Sequence, residues 1–218
     1  MALTQSFRKK PFFVTGLLVL GVLVSYLFLP ASSEMSSAVQ SLFFGVVFLV
    51  SVPMLYVRLV LKEPLSSIGL SRSSRRYGSL VVLVAVIPIL SIWFLLLRLY
   101  GDDLAYALPY SVQSSFVWFL LYELVLVGIV AFVYEVFFRG LVMLSWLSST
   151  GIASVFLQFL VFLVFIGLSG GFAWSNAPIM LAGLASGFVA YYTRSLWYSW
   201  VTAWLTLFLS DTLFLVFG

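Results

Sequence analysis

The stretch Tyr134-Glu135-Val136-Phe137-Phe138-Arg139-Gly140 places two opposite charges near the end of a long apolar run. Glu135 and Arg139 are four residues apart, so on a helix their side chains lie on one face, one turn apart, where they can pair. Charged side chains are costly inside a bilayer, and a pair within an apolar span is therefore a functional hypothesis by default. The alternative is an anchor at the membrane surface, in which Arg139 reaches the headgroups and Glu135 merely neutralises it.

The composition of the chain indicates a polytopic membrane protein. Of its 218 residues, 63% are hydrophobic and 8% are charged, and the mean hydropathy is +1.19. A soluble domain of this size cannot bury so much apolar surface. Cysteine and histidine are absent, which excludes disulfides, thiol nucleophiles, imidazole bases and ordinary zinc sites, and no cofactor or metal is expected. The net charge of +4 is interpreted as a topology signal, not as a nucleic-acid-binding surface.

Apolar runs separated by polar loops predict an all-α bundle of about seven transmembrane helices, forming one membrane domain over residues 1–218. The predicted spans are 11–30, 40–61, 77–99, 116–147, 152–168, 177–192 and 196–218. The first run has features of a secretory signal peptide, but it is long enough to span and is interpreted as an uncleaved helix. The fourth run is too long for one perpendicular helix. It is expected to contain a span that ends near Arg139 and to continue along or beyond the interface, and an eighth span would result if this run broke in two.

The distribution of basic residues predicts the orientation of the chain. With the N-terminus in the cytoplasm, only Arg98 among the eleven Lys and Arg residues falls on the outer side. Seven spans then place the C-terminus outside. The cytoplasmic set is Arg8, Lys9, Lys10, Arg58, Lys62, Arg72, Arg75, Arg76, Arg139 and Arg194, and the acidic loop residues Glu34, Asp102 and Asp103 fall outside.

Two further carboxylates, Glu123 and Asp211, fall inside predicted spans. Both are expected in the outer half of the membrane, where Arg98 is the predicted partner in a buried structural pair. The alternative is an ion or proton pathway. Glu123 is 12 residues from Glu135, which is about 120° around an ideal helix, so the two carboxylates need not share a cavity.

A small-residue stripe on the sixth predicted span contains Gly183 and Gly187. Such stripes allow helices to approach closely. Internal packing is therefore the expected role, and a homodimer contact is the alternative.

Three stretches together resemble the CPBP (ABI) family, the CAAX prenyl endopeptidases and bacteriocin-processing intramembrane proteases. Glu135 with Arg139-Gly140 resembles the family's E-E-x-x-x-R-G signature. Residues 64–70, which end Ile-Gly-Leu before basic residues, are similar to a segment between early spans. Residues 183–197 resemble the last conserved region, G-x-x-x-G followed by S-L-W. The resemblance covers roughly residues 60–210 and implies a CPBP-like helical fold.

The chain departs from this family at most of the positions that carry catalysis. Tyr134 stands where the family has its leading glutamate. The histidine of the F-x-x-x-H motif would fall at Gly167, or at Ser169 in the nearest similar pattern. The histidine and asparagine of the H-x-x-x-N motif would fall at Ala203 and Leu207.

The missing residues bear directly on the reaction that the resemblance implies. In the family, a glutamate activates water while histidine and asparagine stabilise the developing oxyanion. Loss of one such donor costs on the order of 100- to 1000-fold in rate. Because only Glu135 and Arg139 remain, as vestigial catalytic candidates, the resemblance implies a protease scaffold that has lost its activity.

Three function classes stay open at this point. The first is a non-catalytic scaffold, accessory subunit or stabiliser of a membrane protein complex, embedded in lipid and bound to other membrane subunits or to a second copy. The second is an intramembrane endopeptidase that uses Glu135 with unusual donors, the candidates being Ser169, Tyr134 and Tyr191. The third is a small proton-coupled transporter that uses the two other intramembrane carboxylates, although no inverted repeat is apparent.

Overall fold

The structure is a computed structural model that describes residues 12–28, 37–70, 77–100 and 108–217. Within these ranges the chain is helical and contains no strand, so the predicted all-α class is confirmed. The helices are α1 (Phe12–Leu27), α2 (37–60), α3 (Gly78–Tyr100), the short α4 (Tyr110–Ser114), α5 (Phe116–Thr150), α6 (Ala153–Gly170), α7 (Ala177–Thr193) and α8 (Leu196–Phe217).

Four of these helices are long and apolar enough to cross a membrane, fewer than the seven or eight predicted. The four segments are Val39–Val60 in α2, Gly78–Tyr100, Phe116–Thr150 and Leu196–Phe217. The difference is one of length, because a perpendicular span needs about 20 residues. The apolar segments Phe13–Leu27 and Ala153–Ser169 are shorter than this, and α7 has 17 residues.

Several charged residues used to predict the orientation lie outside the described residues, so the predicted orientation stays a prediction. They are Arg8, Lys9, Lys10, Glu34, Arg72, Arg75, Arg76, Asp102 and Asp103.

Helix α5 is unbroken from Phe116 to Thr150, so the eighth span that a break in this run would have given is not formed. Two of its segments, Tyr122–Val127 and Glu135–Met143, are π-helical. A π-turn accommodates an extra residue without ending the helix, and such turns are frequent at functional sites. The long apolar run therefore continues as one helix of 35 residues, which is longer than the hydrocarbon core is thick and is accommodated by tilt or projection.

The second half of α5 lies at the centre of the bundle. Every residue from Glu135 to Trp146 is buried, and α1, α2, α6, α7 and α8 pack around this half. A helix that is buried on all sides belongs to a core and not to a membrane surface. The first half of α5 differs, because it exposes large apolar side chains such as Phe116, Val117 and Trp118.

A short loop folds back from the end of α2 into this core. It contains the 3-10 turn Leu65–Ile68 and then Gly69, whose φ of +84° lies in the left-handed region. The Gly69 carbonyl accepts a hydrogen bond from the backbone N–H of Leu196 at 3.0 Å. A side chain at Gly69 would meet that nitrogen at 3.1 Å, so both the backbone conformation and the close approach require glycine. The loop thereby fixes the start of α8 against the core.

Candidate functional site

Glu135 and Arg139 form an ion pair in the centre of the bundle. Arg139 Nε lies 3.3 Å from Glu135 Oε1. Both side chains are almost completely buried, with 2% of Arg139 and 1% of Glu135 exposed. The Nε–H is not aligned for a hydrogen bond to that oxygen, so the contact is a charge pair. Because Arg139 is buried here, the alternative of an interfacial anchor is wrong.

The guanidinium of Arg139 also binds two other helices. Its Nη2 donates to the Gly183 carbonyl of α7 at 2.6 Å, and its Cζ lies 5.1 Å from the centre of the Phe162 ring of α6. Gly183 makes this approach possible, since an added Cβ would lie 2.5 Å from Phe162 and 3.1 Å from Arg139 Nη2. Arg139 therefore joins α5 to α6 and α7 through a charge-assisted hydrogen bond and a cation–π contact.

The carboxylate of Glu135 is held by hydroxyl groups on α7 and α8. The Ser199 hydroxyl donates to Glu135 Oε2 and lies 2.8 Å from the Ser186 carbonyl oxygen. The Ser186 hydroxyl also interacts with the same carboxylate. Together with Arg139, these contacts tie four helices to one buried charge pair, which we call the polar lock: Glu135, Arg139, Gly183, Ser186 and Ser199.

Three of the residues predicted at the family's catalytic positions do meet beside Glu135. Tyr134, Ala203 and Leu207 line one small cavity of about 20 Å³ together with Glu135 and Arg139. The motif spacing therefore located the correct part of α8. A cavity of this size accommodates about one water molecule, and a peptide segment does not fit.

The two positions predicted on α6, Gly167 and Ser169, do not line the cavity beside Glu135. A Cβ at Gly167 would lie 2.6 Å from the Phe172 ring, and the exposed Ser169 donates its hydroxyl to the Ile166 carbonyl. From α6, the polar lock is instead faced by Phe162 and Gln158. Phe162 lines the small cavity, and the Nε2 of Gln158 lies 3.5 Å from the Gly183 carbonyl oxygen.

The remaining donor proposed for an enzyme lies elsewhere. Tyr191 packs edge-on against Tyr192, and the Arg194 guanidinium lies 5.1 Å from its ring centre at the end of α7. Tyr191 does not line the cavity beside Glu135. It is therefore not placed to polarise a bond at that carboxylate.

The structure brings together the two other intramembrane carboxylates, Glu123 and Asp211. Glu123 lies within hydrogen-bonding reach of Asp211, and the side chains are 0% and 4% exposed. The predicted ion pair with Arg98 is not formed. The Arg98 guanidinium is exposed and lies over the rings of Phe94 and Phe217, at 5.4 and 5.1 Å.

Sequence reasoning missed the hydroxyl groups of α8. Ser199, Thr202, Thr206 and Ser210 are fully buried, and their spacing of three, four and four residues puts them on one face of the helix. Thr202 and Thr206 donate to carbonyls four residues earlier, at 2.8 Å each, while Ser199 reaches Glu135. The repeating Ser and Thr in an apolar span was the available signal for this face.

The stretches that resemble the CPBP family meet in space. A Cβ at Gly140 would lie 3.2 Å from the Leu196 side chain and 3.3 Å from the Ile68 carbonyl oxygen, so α5, the 64–70 loop and the start of α8 are in contact. No family model matches the chain, and no curated protein or solved structure matches it. The assignment to the CPBP family stays a prediction from these motifs.

Proposed function

We propose that the chain is a non-catalytic, CPBP-like membrane protein that acts as a scaffold, accessory subunit or stabiliser of a membrane protein complex. The observation that carries the proposal is the engagement of Glu135. Its carboxylate is held by Arg139 and Ser199, and the space beside it measures about 20 Å³. A general base must reach both a water molecule and a substrate bond, and so small a space does not hold both. We therefore take the contacts of Glu135 to hold the helices together.

The surroundings of the pair support the same role. At the positions where the family has its histidines and asparagine, the small cavity is lined by Ala203 and Leu207, and the ring of Phe162 faces it from α6. None of these side chains donates a hydrogen bond, so none can stabilise an oxyanion. What remains of the family's machinery is a buried ion pair that fixes how α5, α6, α7 and α8 pack.

The proposal includes a membrane topology. We take α1, α6 and α7, with 16, 18 and 17 residues, as three shorter spans beside the four long ones. This gives seven spans with the N-terminus in the cytoplasm and the C-terminus outside. The exposed apolar side chains of α3 and of the first half of α5 then face lipid or helices of partner subunits.

The proposal is tested by a cleavage assay in liposomes. The purified wild-type protein is mixed with a set of fluorogenic transmembrane and prenylated peptides, and the double variant Glu135→Gln/Arg139→Met serves as the matched control because it removes both charges together. We expect wild type and variant to release product at the same background rate. Cleavage by wild type that disappears in a folded variant would establish the endopeptidase alternative instead.

A further inference from the structure

A second and much larger cavity opens between α1, α2, α5, α7 and α8. Its volume is about 460 Å³, which is within the usual range for sites that hold small organic ligands. Most of the surface of its wall is apolar, with Leu126, Val130, Val133 and Ile179 among the lining residues. An apolar ligand body is therefore accommodated.

One wall of this cavity carries a carboxyl group. Asp211 of α8 lines the cavity, and behind it lies Glu123, at the start of the first π-helical segment of α5. The phenol of Tyr122 lies close to both carboxyls and also lines the cavity. The site thus combines an apolar volume with one carboxyl group on its wall, that of Asp211, and a second carboxyl group, that of Glu123, behind it.

Glu123 faces the Asp211 carboxyl but receives no hydrogen bond from an N–H group or an alcohol in the described part of the chain. Both of its carboxylate oxygens are fully buried. Within the same ranges, no Arg or Lys forms an ion pair with Glu123. Two facing carboxyls repel one another unless a cation or a proton lies between or beside them, and a buried charge without a partner is strongly unfavourable.

The helix backbone around Glu123 is held firmly. The Trp204 indole donates to the Glu123 carbonyl at 2.9 Å, and the Trp200 indole donates to the Gly128 carbonyl at 2.9 Å. These bonds fix α8 against the first π-helical segment of α5. The acidic groups are therefore positioned by the fold, as the groups of a binding site need to be.

We propose that this cavity binds an amphiphile with a primary ammonium group, whose charged end lies at Asp211 and Glu123 and whose apolar body fills the aliphatic part. An ammonium group supplies three N–H donors and one positive charge, and among the described residues no N–H group and no Arg or Lys serves Glu123 in this way. A cluster of three or more acidic or other metal-binding side chains is absent from the described residues, so an organic cation fits the site better than a metal ion. No residue of the polar lock lines this cavity, although Tyr134 and Leu207 border both it and the small cavity beside Glu135. The inference does not depend on the proposed role of the polar lock.

The test is direct binding of octylammonium chloride to the purified protein in a non-ionic detergent, measured by calorimetric titration, with octan-1-ol and sodium chloride as matched probes. We expect saturable binding of octylammonium and weaker binding of octanol. Asp211→Asn and Glu123→Gln should each weaken octylammonium binding by about tenfold or more, the loss expected for a charge-assisted hydrogen bond. Ser41→Ala, a change of another lining residue that carries no charge, should bind as wild type does.

Several outcomes would overturn the inference. Equal affinity for octanol and octylammonium would show an apolar cavity in which the carboxyls play no part. Competition by sodium at equal concentration would show a small-cation site, and no binding at all would show that the pair only shares a proton. Undiminished binding by both carboxyl variants would place the ligand elsewhere. Because either variant alone can be scored, misfolding of one does not remove the test.

Discussion

At the scale of single residues, Glu135 and Arg139 are expected to depend on one another. Each is buried at 1% exposure, so Glu135→Gln leaves the Arg139 charge in the core without its partner. Loss of one member of a buried pair costs about 3–5 kcal/mol of unfolding free energy. The double variant Glu135→Gln/Arg139→Met should cost clearly less than the sum of the single changes, as measured by denaturation in detergent micelles.

Arg98→Met is the control for this cycle. Arg98 is exposed and contacts two aromatic rings, so its loss should cost about 1 kcal/mol or less. Additive costs for Glu135→Gln and Arg139→Met would contradict a coupled pair, because independent sites add and interacting ones do not.

The sequence predicted the part of the polar lock that lies within a single helix. The spacing of Glu135 and Arg139 is a property of one helix, and so is their pairing. The contacts made by Ser199, Ser186 and Phe162 depend on how three other helices dock, which no spacing along the chain specifies. Arg98 is a second example. Its position along the sequence predicted an ion pair with Glu123 and Asp211, but its guanidinium lies over the rings of Phe94 and Phe217 instead.

At the scale of helices, close packing of α7 against α6 and α5 depends on two glycines. A Cβ at Gly183 would lie 2.5 Å from Phe162, and one at Gly187 would lie 2.6 Å from the amide nitrogen of Gln158. Both glycines therefore act in internal packing. Gly183 has the more rigid neighbours, because a ring in a packed core cannot move as freely as the end of a glutamine.

Gly183→Ala should therefore destabilise the protein by about 1–3 kcal/mol, the usual cost of overpacking a core. Gly21→Ala is the matched control in α1, since nothing lies within 4 Å of an added Cβ there, and it should be neutral or slightly stabilising because alanine favours the helix. Thermal unfolding of both variants in one detergent makes the comparison. Equal midpoints for the two variants would show that α7 does not pack against Phe162 and Arg139 as described.

Helix number and continuity were harder to predict than helix position. The apolar runs gave the approximate limits of all the long helices, yet lengths of 16 to 18 residues leave α1, α6 and α7 below or at the usual requirement for a span. The apolar run was expected to continue beyond Arg139, but whether it stayed one helix could not be predicted, because hydropathy does not reveal the π-helical turns of Glu135–Met143.

At the scale of the whole molecule, the polar lock and the carboxyl pair Glu123 and Asp211 have different surroundings. The lock lies in a tightly filled centre, whereas Asp211 borders a cavity of about 460 Å³. The molecule thus has a filled centre in which four helices meet and, beside it, a cavity lined by the part of α5 from Tyr122 to Tyr134. This division is what a scaffold with its own ligand site would require.

The role as a scaffold or accessory subunit is the central claim, and native mass measurement tests it most directly. The protein is extracted gently from its own membranes, and the mass and composition of the intact particles are determined. We predict a complex of fixed stoichiometry with other membrane proteins, retained in the double variant Glu135→Gln/Arg139→Met. Only monomers or homodimers, in wild type and variant alike and in several mild detergents, would contradict the account.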